Sequence, residues 1–186
     1  MKVIGLAGWS GSGKTTLVGR LLPALTGRGF RVSTIKHAHH SFDVDQPGKD
    51  SYEHRRAGAT EVLVTSAHRW ALMHEHRGEP EPSLEELLPK LAPVDLVLVE
   101  GFKRGGHEKL EIFRRAVGKP LLAAADPTVV AILSDGPVPE AAALPHGPRP
   151  VIDLNDPGAI VDFIVAHCGL GGEVAQPRTQ AADGAA

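Results

Sequence analysis

Two hydrophobic periods alternate along this chain. Short apolar runs bounded by turn residues occupy positions 2–8 (KVIGLAG), 31–36 (RVSTIK), 60–66 (TEVLVTS), 95–101 (DLVLVEG) and 128–135 (TVVAILSD), the pattern of strands. KLEIFRR at 109–115 alternates apolar with polar, HRWALMHE at 68–75 reads as a further strand, and PVIDLND at 150–156 as a strand end. Between these runs the period lengthens. Leu17, Val18, Leu21, Leu22 and Leu25 recur at helical spacing over 14–28, and Gly27 and Gly29 stop that helix. DSYEHRRAGA predicts a short helix N-capped by Asp50 or Ser51. EPEPSLEELLPKL predicts another capped by Ser83, with Glu85 and Glu86 suited to its N-terminal dipole. A last helix is expected over 157–167, with Pro157 at or near its first position.

Strands alternating with helices predict an α/β fold of three layers, a mostly parallel β-sheet flanked by helices. With 186 residues the simplest organisation is one globular domain over 1–168, followed by a small, polar tail over 169–186 that is expected to be disordered. Composition narrows the partners. Hydrophobic content of 42% and charged content of 23% are those of a soluble protein, and a net charge of −2 gives no broad attraction to nucleic acid or membrane. The single cysteine, Cys168, excludes an internal disulfide and a cysteine-rich zinc site, and is expected as a buried thiol near a helix end. No run approaches the ~20 apolar residues needed to span a bilayer. The N-terminal MKVIGLAG reads as a strand entering a glycine loop rather than a leader, so the expected compartment is the cytoplasm.

The chemistry starts at GWSGSGKT, residues 8–15, which fits G-x-x-x-x-G-K-[ST] and sits between an expected buried strand and an expected helix. Glycines there let the backbone N–H groups of Ser10, Gly11, Ser12 and Gly13 turn inward as an anion nest, and the helix N-terminus adds its partial positive charge. Lys14 is placed to reach the β- and γ-phosphates, Thr15 to offer a hydroxyl to Mg²⁺, and Thr16 to contact the α-phosphate.

A phosphate-bound magnesium needs a further acidic group. In DLVLVEG, Asp95 begins the strand and Glu100 ends it, about 16 Å apart at ~3.3 Å per residue. Ligands gather at the carboxyl edge of a parallel sheet, so Glu100 is the candidate and Asp95 a solvated strand start. Gly101 next to it permits close backbone approach.

RVSTIK also delivers its successor, KHAHHSFDVDQPGKDS at 36–51, to that edge. Asp43 and Asp45 share a face in an extended loop and are candidates for the magnesium shell of a nucleotide-ordered switch. His37, His39 and His40 are open to three readings: solvated side chains, contacts to an anionic ligand or partner, or a transition-metal site. Lys49, Arg55 and Arg56 either meet a phosphorylated ligand or solvate a helix.

Together, GWSGSGKTTL, IKHAHHSFDVDQPGKDSYEHRRAGA, RWALMHE and DLVLVEGFK resemble the molybdopterin-guanine dinucleotide biosynthesis protein B (MobB) family over residues 2–164, leaving the tail unmatched. The resemblance implies a dimeric P-loop GTPase of weak activity that binds GTP and Mg²⁺. It also implies an accessory role beside a MobA-type guanylyltransferase that joins GMP to molybdopterin, with molybdopterin itself as a further candidate ligand. By that likeness Gly11, Gly13, Lys14, Thr15 and Thr16 bind phosphate, while Asp45 and Glu100 serve the magnesium site.

The guanine signature N-K-x-D is absent, and the nearest substitute is ILSDGP. There Asp135 would accept from the guanine N1–H and exocyclic amine, or would serve only as a turn aspartate. Two other classes of function compete: a P-loop kinase or ATP-dependent ligase acting on a small metabolite, and a metallochaperone using the three histidines.

Overall fold

A computed structural model of the chain describes residues 1–38, 42–103 and 105–171. The chain forms two compact units: Met1–His37 with the chain from Leu91 onward, and Ala38–Lys90.

The first unit is built on a six-stranded sheet of order β2-β5-β1-β6-β7-β8, every pairing parallel. Its strands are β1 (Lys2–Ala7), β2 (Val32–Lys36), β5 (Leu96–Glu100), β6 (Lys109–Phe113), β7 (Val129–Ser134) and β8 (Val151–Asp153). Helices α1 (Lys14–Thr26) and α4 (Pro157–Cys168) cover one face. Leu17, Leu21 and Leu25 of α1 meet Ile160, Val161 and Ile164 of α4 over Ile4, Leu6, Leu98, Leu110 and Ile112 of the sheet. Each such buried aliphatic side chain contributes about 1.5–3 kcal/mol. The other face is closed by irregular chain and 3₁₀ turns, with Phe113, Val129 and Ile132 packed against Ala123, Val138, Ala141 and Leu144. The expected three-layer α/β fold is therefore present.

Caps explain the helix limits. α4 starts where Asp156 accepts from the Ala159 N–H at 3.0 Å, with Pro157 directly after it. It ends at Gly169, whose φ of 61° is the left-handed conformation of a helix stop. Cys168 is buried in the last turn, as expected.

β6 departs from the sequence reading in an instructive way. Its alternation is real, yet all five residues are buried, because both faces are covered. Leu110 and Ile112 point to the helices; Lys109 and Glu111 point to the other layer and find partners there. The Lys109 ammonium donates to Gly105 O at 2.6 Å, His107 O at 3.0 Å and Thr128 Oγ1 at 2.5 Å, with Asp126 Oδ2 at 3.4 Å. Glu111 accepts from the N–H groups of Leu122 (2.7 Å) and Ala123 (2.8 Å), so it caps the 3₁₀ turn Leu122–Ala124. Burial pushes the Glu111 carboxyl above its ordinary range, and those two N–H groups oppose the shift.

The second unit contains α2 (Asp50–Arg56), the antiparallel hairpin β3 (Glu61–Thr65) and β4 (Trp70–His74), and the short α3 (Leu84–Leu87). Ser83 caps α3 as expected. Its hydroxyl accepts from the Glu86 N–H, and the Glu86 carboxylate accepts in return from the Ser83 N–H, a complete capping box. The N-cap of α2 is Lys49 rather than Asp50 or Ser51. Ser51 instead donates its hydroxyl to Asp45 Oδ1 at 2.9 Å, and Asp50 lies in the first turn.

Candidate functional site

β1 ends at Ala7, and the chain turns through residues 8–13 into α1, the strand–loop–helix order that the motif requires. Gly8, Gly11 and Gly13 all have positive φ. Gly8 has no room for a side chain, since a Cβ there would stand 2.6 Å from Ser12 Oγ and 2.9 Å from Ile112 O. The Ser12 N–H donates to Trp9 O at 3.1 Å, closing the loop on itself. Ser12 Oγ is buried with no hydrogen-bond partner, an unsatisfied hydroxyl inside a loop suited to anions.

Lys14 reaches back across this loop, its ammonium donating to Gly8 O at 2.9 Å and Trp9 O at 3.1 Å. Burial lowers its pKa from the ordinary 10.5, the charges of Lys103 and Lys36 lower it further, and Glu100 acts in the opposite sense. Four charged groups thus stand within electrostatic reach at one edge of the sheet.

Glu100 lies at that edge, as the strand direction predicts. Its Oε1 accepts from Thr15 Oγ1 at 3.2 Å, and its Oε2 is 3.8 Å from Lys36 Nζ, in the register Lys36↔Glu100. Asp95, at the opposite end, accepts from the backbone N–H of Arg31 at 2.7 Å and pairs with its guanidinium at 3.3 Å. These bonds hold its carboxyl below the ordinary range and identify it as a structural strand start.

The turn after Glu100 is tightly made. Gly101 has φ 100°, and a Cβ on it would lie 2.6 Å from His37 Cβ. Phe102 follows at φ 47°, a left-handed conformation that costs a residue with a side chain about 1–2 kcal/mol. Its ring packs 4.8 Å from that of His37. His37 is thereby placed beside the site, whereas His39 and His40 lie outside the described residues.

Asp43 and Asp45 lie in a bend rather than an extended loop, the Asp45 N–H donating to Asp43 Oδ1 at 2.9 Å, and within the second unit both turn to Arg55. The guanidinium donates to Asp43 Oδ1 (2.9 Å) and Oδ2 (2.8 Å), to Asp45 Oδ2 (3.2 Å) and to Glu75 Oε1 (2.8 Å). The Arg55 hydrogen bonds hold the Asp43 carboxyl below its ordinary pKa. Phe42 and Val44, which alternate with the aspartates, are exposed. Among the described residues, no group of three or more His, Cys, Asp or Glu stands ready as a metal cage. A magnesium ion held by one hydroxyl, one carboxylate, phosphate oxygens and water needs no such cage, and Thr15 beside Glu100 fits that donor set.

Asp135 follows β7 and is drawn to Arg114, whose Nη1 is 2.5 Å from Asp135 Oδ2. Ser134 is buried and its Oγ accepts from the Gly136 N–H at 3.3 Å, which fixes the turn. Sequence reasoning passed over Arg114, which also donates from Nε to Ser12 O at 3.1 Å. The positional rule that selected Glu100 would have found it, since Arg114 directly follows β6. Trp9 was also passed over. Its indole N–H donates to Pro120 O at 2.8 Å, and the ammonium groups of Lys103 and Lys119 lie 5.6 and 6.0 Å from its ring.

Comparison with known proteins identifies one family. The family model for molybdopterin guanine dinucleotide synthesis protein B matches residues 3–135. The chain is 45% identical over 166 residues to the molybdopterin-guanine dinucleotide biosynthesis adapter protein of Escherichia coli (strain K12), covering 88% of this chain and 91% of that one. It is 40% identical to the adapter protein of Haemophilus influenzae over 87% of this chain and 86% of the relative. Among solved structures, Bacillus subtilis MobB superimposes with a TM-score of 0.68 at 25% identity, over 90% of this chain and 98% of that one. A molybdopterin-guanine biosynthesis protein B crystal structure gives the same score at 24% identity, which supports the fold. The chain belongs to the MobB family.

Proposed function

We propose that this protein is a GTP-binding adapter in molybdenum cofactor biosynthesis. It hydrolyses GTP slowly with Mg²⁺ and assists a partner guanylyltransferase of the MobA type in converting molybdopterin to molybdopterin guanine dinucleotide. The adapter role rests on the relatives' names. The observation that carries nucleotide binding is the Thr15–Glu100 contact at the mouth of the 8–15 loop.

In this reading Ser10, Gly11, Ser12, Gly13, Lys14 and Thr16 hold the phosphates. Thr15 and Glu100 hold magnesium, which when bound would neutralise charge on the β- and γ-phosphates. Lys14 carries charge to the γ-phosphate, and Asp135 reads the base. Asp43 and Asp45 are the further acidic candidates for the magnesium shell. Their engagement by Arg55 means that contact with the metal requires exchanging a guanidinium for a cation. Arg114, beside the loop, is engaged by Ser12 O and Asp135. A cytoplasmic location is part of the same reading; separately, among the described residues no helix is long and apolar enough to cross a membrane.

A homodimer is part of the same reading. Leu63 pairs with Leu72, and Trp70 with Thr65, on one face of the β3–β4 hairpin, and all three large apolar side chains are exposed. A two-stranded hairpin is marginal alone, so this strip is suited to cover by a second copy.

Titration with GTP and ATP in Mg²⁺ tests the nucleotide reading. GTP preference with slow phosphate release supports it, whereas ATP preference or no binding overturns it. Light scattering of the native chain and of Leu72→Glu tests the dimer: the variant should be monomeric.

A further inference from the structure

β6 stands between β1 and β7 in the sheet, and Phe113 is in register with Ser134. The residues that follow, Arg114 and Asp135, therefore leave adjacent strands at one level of the carboxyl edge, and the 8–15 loop leaves β1 on the other side of Arg114. Arg114 bridges the two. Its Nε donates to Ser12 O at 3.1 Å and its Nη1 to Asp135 Oδ2 at 2.5 Å, while the Cβ position of Gly13 is 3.9 Å from Nε and Nη2.

We infer that Arg114 is a positioning residue for base selection, tying the Asp135 carboxylate to the phosphate loop so that it is presented to a guanine ring at a fixed height above the phosphates. The inference rests on the reading that Asp135 recognises guanine. A carboxylate has about four acceptor positions, and Arg114 uses one on Oδ2. The remaining acceptors suit the two parallel donors of guanine, N1–H and the 2-amino group. Adenine offers a lone pair at N1 in that place, which a carboxylate repels.

Position matters because an aspartate on a turn rotates about two side-chain bonds. Left to itself it would point its oxygens into water as readily as at a base. A fork-shaped guanidinium held at its other end by the loop backbone fixes both the distance and the direction. It also makes the loop and the base reader one rigid piece, so a nucleotide seated by its phosphates meets the carboxylate already aimed.

An arginine beside a phosphate loop would otherwise be taken for a phosphate ligand, and the two roles separate experimentally. Binding of GDP, ADP, IDP, XDP and pyrophosphate would be measured for the native chain and for Arg114→Ala, Arg114→Lys and Asp135→Asn. Each variant would first be checked for native circular dichroism and melting.

Asp135→Asn should exchange GDP preference for XDP, because an amide offers a donor to the xanthine 2-oxo group. Arg114→Ala should reduce the GDP:ADP and GDP:IDP ratios by at least about tenfold while pyrophosphate binding holds. Arg114→Lys, which reaches Asp135 as a single ammonium without the fork, should recover part of both ratios. If Arg114→Ala does not fold, the partial loss in Arg114→Lys decides the matter.

Equal weakening of all ligands, pyrophosphate included, would overturn the inference in favour of a phosphate contact or general damage. Unchanged ratios in the Arg114 variants, with the XDP switch intact in Asp135→Asn, would overturn it and leave the Asp135 reading standing. Unchanged base preference in Asp135→Asn would remove that reading and this inference together, without touching the phosphate site.

Discussion

Thr15 Oγ1 donates to Glu100 Oε1 across 3.2 Å, joining the first turn of α1 to the end of β5. The residues lie 85 positions apart and meet because β1 and β5 are parallel neighbours in register, Leu6 opposite Glu100. A hydroxyl and a carboxylate at this separation form two corners of an oxygen site for a hard cation.

Glu100→Gln keeps the shape of that corner and removes its charge. Metal affinity should fall about 10–100-fold, seen as a loss of the Mg²⁺-dependent gain in GTP binding. Binding of GDP without metal should change little, and calorimetry with and without Mg²⁺ separates the two. A matching loss in both titrations would place Glu100 outside the metal site.

Lys14 supplies a pH dependence whose sign is fixed. Burial first, then the neighbouring Lys103, lowers its pKa in the ligand-free protein, whereas a bound phosphate stabilises the charged form. Pyrophosphate or GDP binding must therefore take up a proton as pH rises through the lowered pKa, below the ordinary 10.5. Affinity should weaken over that range, and calorimetry in two buffers of different ionisation heat should show the uptake. Lys14→Ala should lose both the binding and the proton linkage, and retained GTP affinity would contradict the assignment.

The legible part of this molecule was what local sequence controls. The 8–15 loop, the strand ending in Glu100, the Ser83 cap and the Pro157 start each carry their cause within a few residues. Register across the sheet is not local. Nothing within KLEIFRR shows that Lys109 and Glu111 are buried, because their partners are carbonyls and N–H groups at 105–107 and 122–123. The carboxyl-edge rule could place Arg114 but not its partners, which depend on β6 lying between β1 and β7. Asp43 and Asp45 were paired by the spacing of an extended loop, whereas here they meet at a guanidinium that comes from α2, outside the reach of that argument.

Lys109→Met tests whether the buried ammonium is structural. Methionine fills similar volume but leaves Gly105 O and His107 O without their donor, so stability should fall by about 1–3 kcal/mol. The melting temperature would drop, and amides of residues 105–108 should exchange faster. GDP affinity in the folded fraction should stay close to native. A variant as stable as the parent would show that water replaces the ammonium without loss.

The Arg55 cluster predicts an acid-sensitive anchor for the segment that carries Asp43 and Asp45. Arg55 hydrogen bonds lower the Asp43 pKa from 3.8, so the folded state binds this proton more weakly than the unfolded one. The contribution of Asp43 to stability is then fully present above 3.8 and is lost as pH falls through the lowered value. Hydrogen exchange over residues 42–56 should accelerate in that acid window before the sheet opens. Asp43→Asn should remove the acid-dependent step and raise exchange at neutral pH, because the amide accepts only on one side of the Arg55 fork. Arg55→Lys should give the same loosening, since a single ammonium cannot bind both carboxylates and Glu75 with the fixed geometry that the guanidinium provides. If exchange at 42–56 in either variant matches the native chain at neutral pH, the guanidinium is not what holds the two aspartates together.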